Sequence, residues 1–490
     1  MRRTRRLSIR QDGCYHPSMT LYHDLADKTA ALIADGVLRP GDRLPSVRQT
    51  CRIHGIAPVT VTQAYHLLES RGLIEARPKS GYFVRARLGR RLPEPEMTRP
   101  VGHSTQLEVS DFIFEILDSV KDPAVVPLGS SFPSPWLYPL DKLGRFLAAA
   151  ARHLDPLSTV TDLPPGNDEL RRQLSLRYLA HGANVSPQEI VITSGAMEGL
   201  NLCLQAVTRP GDLIAIESPT FYAGLQASER LGLKVIEIPT HPREGINLMA
   251  LEDALRHHPI KACLFMLNFA NPTGSLVPDA RRRALVELLD RHDVPLIEDD
   301  VYAELHFGPQ VPLCSKAVDP NGRVMHVSSF SKCLAPGYRI GWVAAGRYAG
   351  LIQRQKLSTS LATTVPVQIA MADYLKQGGY ENHLRHLRRV LATQEAALVD
   401  AVETHFPEGT RLARPLGGYF LWLELPRKVD ALLLHRQALA QGISIAPGPI
   451  FSAKREFGNC IRLNFGHPLE TRQQEAVATL GRLVATQLQA

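Results

Sequence analysis

The chain has 490 residues, 44% of them hydrophobic and 21% charged, which is more apolar material than one ordinary core holds, so at least two domains are expected. No apolar run is long enough to cross a bilayer, and the Arg-rich first twenty residues lack the apolar stretch of a secretory signal. The seven cysteines (Cys14, Cys51, Cys203, Cys263, Cys314, Cys333 and Cys460) are scattered. That pattern speaks against structural zinc or another metal and for a reducing, cytoplasmic setting. The net charge of +8 is unevenly placed: residues 1–91 carry 17 basic and 7 acidic side chains, a balance of +10, and the remainder carries 39 and 41, a balance of −2. A basic head on a near-neutral body is the footprint of a nucleic-acid module joined to something else.

After a basic arm (1–20), apolar positions at Leu25, Leu32 and Ile33 predict a helix from Leu21 to about Asp35, closed by Gly36. Ser46 followed by Gln49 is a capping-box signature for a second helix to about Ile53, and Gly55 breaks it. Pro58 suits the first position of a third helix, Pro58–Ser70. That helix turns Val61, Ala64, Tyr65 and Leu68 inward and leaves Thr60, Thr62 and Gln63 free to reach base edges or phosphates. Leu73–Arg77 and Gly81–Val84 read as two strands around a basic tip at Pro78-Lys79. Three helices and such a hairpin make a winged helix-turn-helix over 21–86. Residues 87–107, with Pro93 and Pro95 and no hydrophobic period, read as a semi-extended linker.

From 108 to 490, apolar runs such as Ile190–Thr193, Leu213–Ile216, Ala262–Leu267 and Pro295–Glu298 alternate with amphipathic segments. The pattern is that of an α/β body with parallel strands and crossover helices, whose ligands bind beyond the carboxyl ends of the strands. Chemistry-bearing residues follow those runs. Gly195 and Ala196 open a helix whose first amides suit a phosphate. Phe221 offers a ring to stack on a flat heterocycle, Asn271 an amide for a phenolic oxygen, and Asp299 a carboxylate that would keep a pyridine nitrogen protonated. The series ends in Ser329-Phe330-Ser331-Lys332, with Arg339 seven residues on. A desolvated lysine amine beside hydroxyls and a guanidinium suits an aldehyde carrying a phosphate, which is pyridoxal phosphate.

The head resembles the GntR-type DNA-binding domain through Gly41-Asp-Arg-Leu-Pro-Ser-Val-Arg48, Thr60-Val61, Ala64-Tyr65 and Ser80-Gly-Tyr-Phe-Val84. The resemblance implies that Arg48, the third helix (Thr60, Thr62, Gln63) and the wing (Arg77, Lys79) approach double-stranded operator DNA. The body resembles the fold type I aminotransferases: a mostly parallel sheet between helices with a smaller C-terminal α+β subdomain. That resemblance implies Lys332 as the Schiff-base lysine, Asp299 at the pyridine nitrogen, Asn271 and Tyr302 at the ring oxygen, and Phe221 on the ring. Gly195, Ala196, Ser329, Ser331 and Arg339 would hold the phosphate. Arg462, in Cys460-Ile-Arg-Leu-Asn-Phe465, would receive the α-carboxylate of an effector or substrate. One departure is Thr161, where the family usually has the tyrosine that reaches the partner subunit.

Head and body together resemble the MocR subfamily of GntR-type transcription regulators. This implies a homodimer, commonly head-to-tail, whose body senses an amine, an amino acid or the vitamer through pyridoxal phosphate. A catalytically active aminotransferase carrying an accessory DNA-binding domain is the alternative.

Overall fold

The computed structural model describes residues 21–34, 37–38, 41–70, 73–77, 80–84, 92–100, 102–118, 122 and 124–489. The basic arm 1–20, Asp35, Gly36, the wing-tip residues Pro78 and Lys79, the last two residues of the expected winged helix (85–86) and residues 87–91 of the expected linker lie outside them. The chain divides into two compact units, Met1–Leu88 and Gly89–Ala490.

In the first unit, α1 (Leu21–Ala34), α2 (Val47–His54) and α3 (Pro58–Ser70) precede an antiparallel hairpin of β1 (Ile74–Arg77) and β2 (Gly81–Val84). The capping box forms: the Ser46 hydroxyl accepts the Gln49 N–H, and the Gln49 side chain accepts the Ser46 N–H at 3.0 Å. Gly55, at φ 65°, ends α2 in the left-handed conformation that a side chain rarely adopts. The four expected inward residues of α3 are buried against Leu25, Ala26, Ile74 and Val84. Tyr65 locks this core with a polar tip, donating to the Pro45 carbonyl at 2.7 Å and lying 2.7 Å from the Thr50 hydroxyl. The first strand starts at Ile74, one residue later than the sequence suggests, with the Leu73 N–H donating instead to the Leu68 carbonyl at 3.0 Å.

Among the described residues, the second unit is built on thirteen strands. In chain order these are β3 (Thr105–Gln106), β4 (Ile190–Thr193), β5 (Leu213–Ser218), β6 (Lys234–His241), β7 (Gly245–Ile246), β8 (Ile260–Phe265) and β9 (Leu296–Asp299). They continue with β10 (Val324–Ser329), β11 (Gly341–Ala344), β12 (Arg411–Leu412), β13 (Phe420–Glu424), β14 (Ala446–Pro447) and β15 (Cys460–Asn464). The central sheet runs β3-β6-β5-β8-β9-β10-β11-β4, with β7 paired to β6. Along that order the five strands from β6 to β10 are parallel, and β11 is antiparallel to both its neighbours. All residues of β4, β5, β9 and β10 are buried, as strands covered on both faces require. β8 begins two residues before the expected run and stops at Phe265, leaving Met266 to donate its N–H to the Glu217 carboxylate. A smaller antiparallel sheet, β12-β13-β15-β14, makes the C-terminal layer.

From residue 92 the stretch expected as a linker lies along the body. Leu92 joins its core, and the Pro93 carbonyl accepts the Leu412 N–H at 2.9 Å. Glu96 pairs with Arg411 at 3.0 Å, and Glu94 pairs with Arg243. The Thr98 hydroxyl donates to the Ser218 carbonyl at 2.7 Å, and Thr105 and Gln106 pair with Val235 and Lys234. A proline-rich, aperiodic sequence gives no hint of this, because its anchors are backbone groups and single side chains.

Beneath the sheet, Arg282 and Glu298 form an ion pair in which neither side chain is exposed, and Arg282 also donates to Asn268 and Leu267. Arg282→Met, which leaves Glu298 charged and unpaired, is expected to cost about 3–5 kcal/mol in urea unfolding of the body, and Glu298→Leu on top of it to recover part of that loss.

Candidate functional site

The carboxyl ends of the parallel strands converge on Lys332, three residues past β10. Its amine donates to the Ser131 carbonyl at 3.0 Å and sits 3.9 Å from the centre of the Phe132 ring. The residue as a whole is half-buried. Burial, with Arg462 and Arg339 adding positive charge and only Asp299 opposing, brings Lys332 down to about 7. Near neutrality much of this lysine is therefore an uncharged amine, the nucleophilic form.

Asp299 closes β9 beside it. Burial and the neighbouring Asp300 carboxylate raise Asp299 to about 7, against the lowering effect of Lys332 and His326. Its Oδ1 is buried with no hydrogen-bond partner among the described residues, as are Asn271 Nδ2 and Arg462 Nε. Asn271 holds Arg462 through Oδ1 at 2.8 Å. Tyr302 is buried edge-on to Tyr419 and Phe420, with ring centres 5.4 and 5.5 Å away. Phe221 follows β5 and opens the helix Tyr222–Arg230.

A second cluster forms where β4 gives way to the helix Ala196–Val207. Gly195 caps that helix at φ 86°, a conformation that side chains rarely adopt, with its Cα facing the Arg339 guanidinium. Arg339 donates to the Ser194 carbonyl at 3.1 Å and reaches the Ser331 hydroxyl at 3.4 Å, and the Ser331 N–H meets Ser329 Oγ at 3.4 Å. Helix-start amides, a guanidinium and two hydroxyls together make an anion cradle.

Arg462, on β15, is 1% exposed and lies 4.1 Å over the Phe420 ring. Its Nη2 donates to the Gly129 and Ser130 carbonyls at 2.7 and 3.2 Å. The segment 129–132 therefore sits against both the lysine and the arginine. It is fastened by Tyr419 to the Ser131 carbonyl, by Tyr222 to the Ser131 hydroxyl, and by Asn464 to the Ser130 and Phe132 carbonyls. Sequence reading missed Ser131, Phe132, Tyr222 and Tyr419. A short Ser-rich turn some two hundred residues before Lys332 carries no local signal of what it touches. Thr161 lies in a short helix, Ser158–Thr161, with its hydroxyl bonded to the Leu157 carbonyl at 2.9 Å.

These residues fit pyridoxal phosphate. The cluster offers an amine for the aldehyde, an unpartnered carboxylate oxygen for the ring nitrogen, an unpartnered amide for the ring oxygen, and a cradle for the phosphate.

On the head, Arg48 and Gln63 are exposed and Thr60 is half-buried. The Thr62 hydroxyl is spent within its own helix on the Pro58 carbonyl at 2.9 Å. Arg77 bonds Glu75 at 2.7 Å and covers the Phe83 ring. The free face of α3 also presents Val59 and His66, which the sequence reading passed over.

Since the folded-state value of Lys332 lies below that of an ordinary lysine, its burial costs stability in full below about 7, and the cost fades as the pH climbs toward the ordinary lysine value. Capture of pyridoxal phosphate by the cofactor-free chain, followed by absorbance, should therefore speed up as pH rises through about 7 and level off above it. Lys332→Ala should bind the cofactor reversibly, with nothing for borohydride to trap.

Comparison with known proteins agrees with this geometry. The family "Aminotransferase class I and II" matches residues 139–478, and "Bacterial regulatory proteins, gntR family" matches residues 21–84. The HTH-type transcriptional regulator YdcR of Escherichia coli K12 is 46% identical over 470 residues, covering 96% of this chain and all of the relative. The kynurenine aminotransferase of Pyrococcus horikoshii, solved with PMP, superposes with a TM-score of 0.71 at 30% identity, over 79% of this chain and 96% of that one. LysN, an α-aminoadipate aminotransferase of Thermus thermophilus solved with N-(5'-phosphopyridoxyl)-L-leucine, gives a TM-score of 0.69 at 28% identity, over 78% and 96%. The chain belongs to the aminotransferase class I and II family in its MocR form, in which a gntR-type winged helix precedes an aminotransferase-like body that takes pyridoxal phosphate.

Proposed function

We propose that the protein is a transcription regulator whose DNA affinity is set by an amine or amino acid, or by the vitamer itself, at the pyridoxal phosphate site. The observation that carries this reading is the course of residues 92–107. Chain that leads away from the winged helix is bonded to the smaller sheet through Glu96 and Arg411 and to the cofactor side through Thr98 and Ser218, three residues before Phe221. A change in how those two parts of the body meet would pull on it.

When bound, pyridoxal phosphate supplies an aldehyde that an amine can capture and a ring that withdraws electrons. In this reading Lys332 gives the resident amine, held uncharged by burial. Asp299 stabilises a proton on the ring nitrogen, and Asn271 and Tyr302 orient the ring oxygen. Phe221 stacks on the ring, while Gly195, Ala196, Ser329, Ser331 and Arg339 anchor the phosphate. Arg462 takes the ligand's carboxylate. Its Nη2 is engaged by the Gly129 and Ser130 carbonyls, so an entering carboxylate competes with the segment 129–132, whose release also frees its hold on Lys332, Tyr222 and Tyr419. A linked ligand shifts DNA affinity only by its differential affinity for the two states, typically about 1–3 kcal/mol.

In a homodimer, commonly head-to-tail in such proteins, that shift would act on the spacing of two heads, and DNA reads half-site spacing. The domain bounds this reading uses are the winged helix at 21–86 and a body from 108, with residues 92–107 acting as its strap. A working aminotransferase is the second reading, favoured by the complete set of groups around Lys332. Conversion of the holoprotein's cofactor to pyridoxamine phosphate by an amino-acid panel, without any change in a promoter-DNA shift, would establish it instead.

Two outcomes test the proposal. In gel shifts, Arg48→Ala should weaken binding to all sequences, whereas Gln63→Ala should relax preference at one base pair by about 1–3 kcal/mol. Thr98→Val should keep cofactor binding and basal DNA binding yet blunt the difference in DNA affinity between cofactor-loaded and cofactor-free chain. An undiminished difference in that variant would remove the strap from the account.

A further inference from the structure

Behind the strand that carries Asp299 runs a buried chain of hydrogen bonds that the reading above leaves unused. Asp299 and Asp300 are consecutive, and successive residues of an extended chain point to opposite faces. Asp300 accordingly turns away from the lysine: its oxygens accept the Asn268 amide at 3.1 Å, and Oδ2 lies 2.9 Å from His326 Nε2. His326, on β10, has its Nδ1 2.6 Å from the Tyr178 hydroxyl. Tyr178 comes from the helix Asp168–Ala180 and accepts the Trp342 indole N–H at 2.9 Å. All four side chains are buried.

The polarity of the chain is set at its two ends. An indole N–H can only donate. The Tyr178 oxygen therefore accepts there, and its hydroxyl shares a second hydrogen bond with His326 Nδ1. A carboxylate can only accept, so His326 carries a proton on Nε2 and points it at Asp300. Donation is fixed at both ends of the chain, from Trp342 into the Tyr178 oxygen and from His326 Nε2 into the Asp300 carboxylate.

Two carboxylates in one desolvated layer oppose each other's ionisation. After burial, the Asp300 charge is the next cause raising Asp299, and His326 acts in the opposite sense. Burial disfavours a charge on His326 itself, yet Asp300 and Glu298 more than offset it and leave His326 raised. The other groups facing this cluster are Tyr178, Arg282 from the helix Asp279–Arg291, bonded to Glu298, and the Cys314 thiol, which feels both carboxylates.

We propose that His326 is a positioning residue for the cofactor ring: by donating to Asp300 it draws that carboxylate's charge to the far face of the strand, and so keeps Asp299 available as the anion that holds a proton on the ring nitrogen. The proposal rests on the assignment of Asp299 to that nitrogen. It separates the two adjacent acids into one that faces the ring and one that is neutralised from behind.

The test loads the full chain with ¹⁵N-labelled pyridoxal phosphate and reads the ring-nitrogen signal by NMR across pH. The wild-type signal should be that of a pyridinium at neutral pH. His326→Phe should move it toward unprotonated pyridine. His326→Gln, whose amide can still donate to Asp300, should stay near wild type. Asp300→Asn, which removes the competing charge, should hold the pyridinium signal to higher pH than wild type. A merely structural role for His326 would lower the melting temperature and leave the signal in place. An unchanged signal in His326→Phe, or a shift of Asp300→Asn in the same direction as His326→Phe, would overturn the proposal. Should His326→Phe fail to fold, Asp300→Asn decides alone, and titration like wild type counts against it. Asp299→Asn serves as the separate control: if the nitrogen stays protonated there, the Asp299 assignment falls, whatever His326 does.

Discussion

An uncharged lysine amine in a desolvated pocket is the constraint on which the site depends. Lys332 is shielded by Phe132 and held down to about 7 by burial and by the two guanidinium groups that flank it. Each of those arginines serves a second purpose. Arg339 draws Gly195 and Ser331 into an anion cradle at one end, and Arg462 organises Asn271 and the segment 129–132 at the other. Positive charge that lowers the lysine is thus the same charge that, in the proposed reading, would orient a phosphate and a carboxylate. An economical arrangement of this kind has a cost, since buried cations need partners. Asn271 and the backbone carbonyls of Gly129 and Ser130 fill that need around Arg462.

Much of this could be read from the sequence, for reasons that differ between the two halves. The head is legible because its signals are local. The capping box at Ser46, the helix-breaking Gly55 and the inward spacing of Val61, Ala64, Tyr65 and Leu68 all lie within a few residues of the structure they dictate. In the body, strand ends announce themselves by an apolar run followed by Asn271, Asp299 or Gly195, and the topology of a parallel sheet gathers those ends at one edge. What the sequence hides is contact between distant segments. Ser131 meets Lys332, Glu96 meets Arg411, and Trp342 reaches Asp300 through one residue of a helix and one of a strand. None of these pairs has a periodicity or a spacing to betray it. The stretch 92–107 is the sharpest case, because prolines and charges that usually mark a solvated connector here fasten it to both sheets.

The strap and the segment 129–132 give the body two places where a ligand's arrival could be felt away from the ring. The segment contacts Arg462 directly, and the strap continues in sequence toward the DNA-binding head. No helix among the described residues is long and apolar enough to cross a membrane, and the family to which the chain belongs joins a DNA-binding head to a pyridoxal phosphate body. The regulatory reading therefore asks only that these existing contacts be worked by the ligand, with no further chemistry beyond capture of its amine.

Coupling between two sites is reciprocal, so whatever the cofactor does to DNA affinity, DNA must do equally to cofactor affinity. The most direct test is to measure the pyridoxal phosphate affinity of the full-length chain alone and saturated with a DNA duplex selected by that chain from a random library. The account predicts that the two affinities differ, by the same factor that separates DNA binding of the cofactor-loaded and cofactor-free protein. Identical affinities would mean that head and body share a chain without sharing a function, and would contradict it.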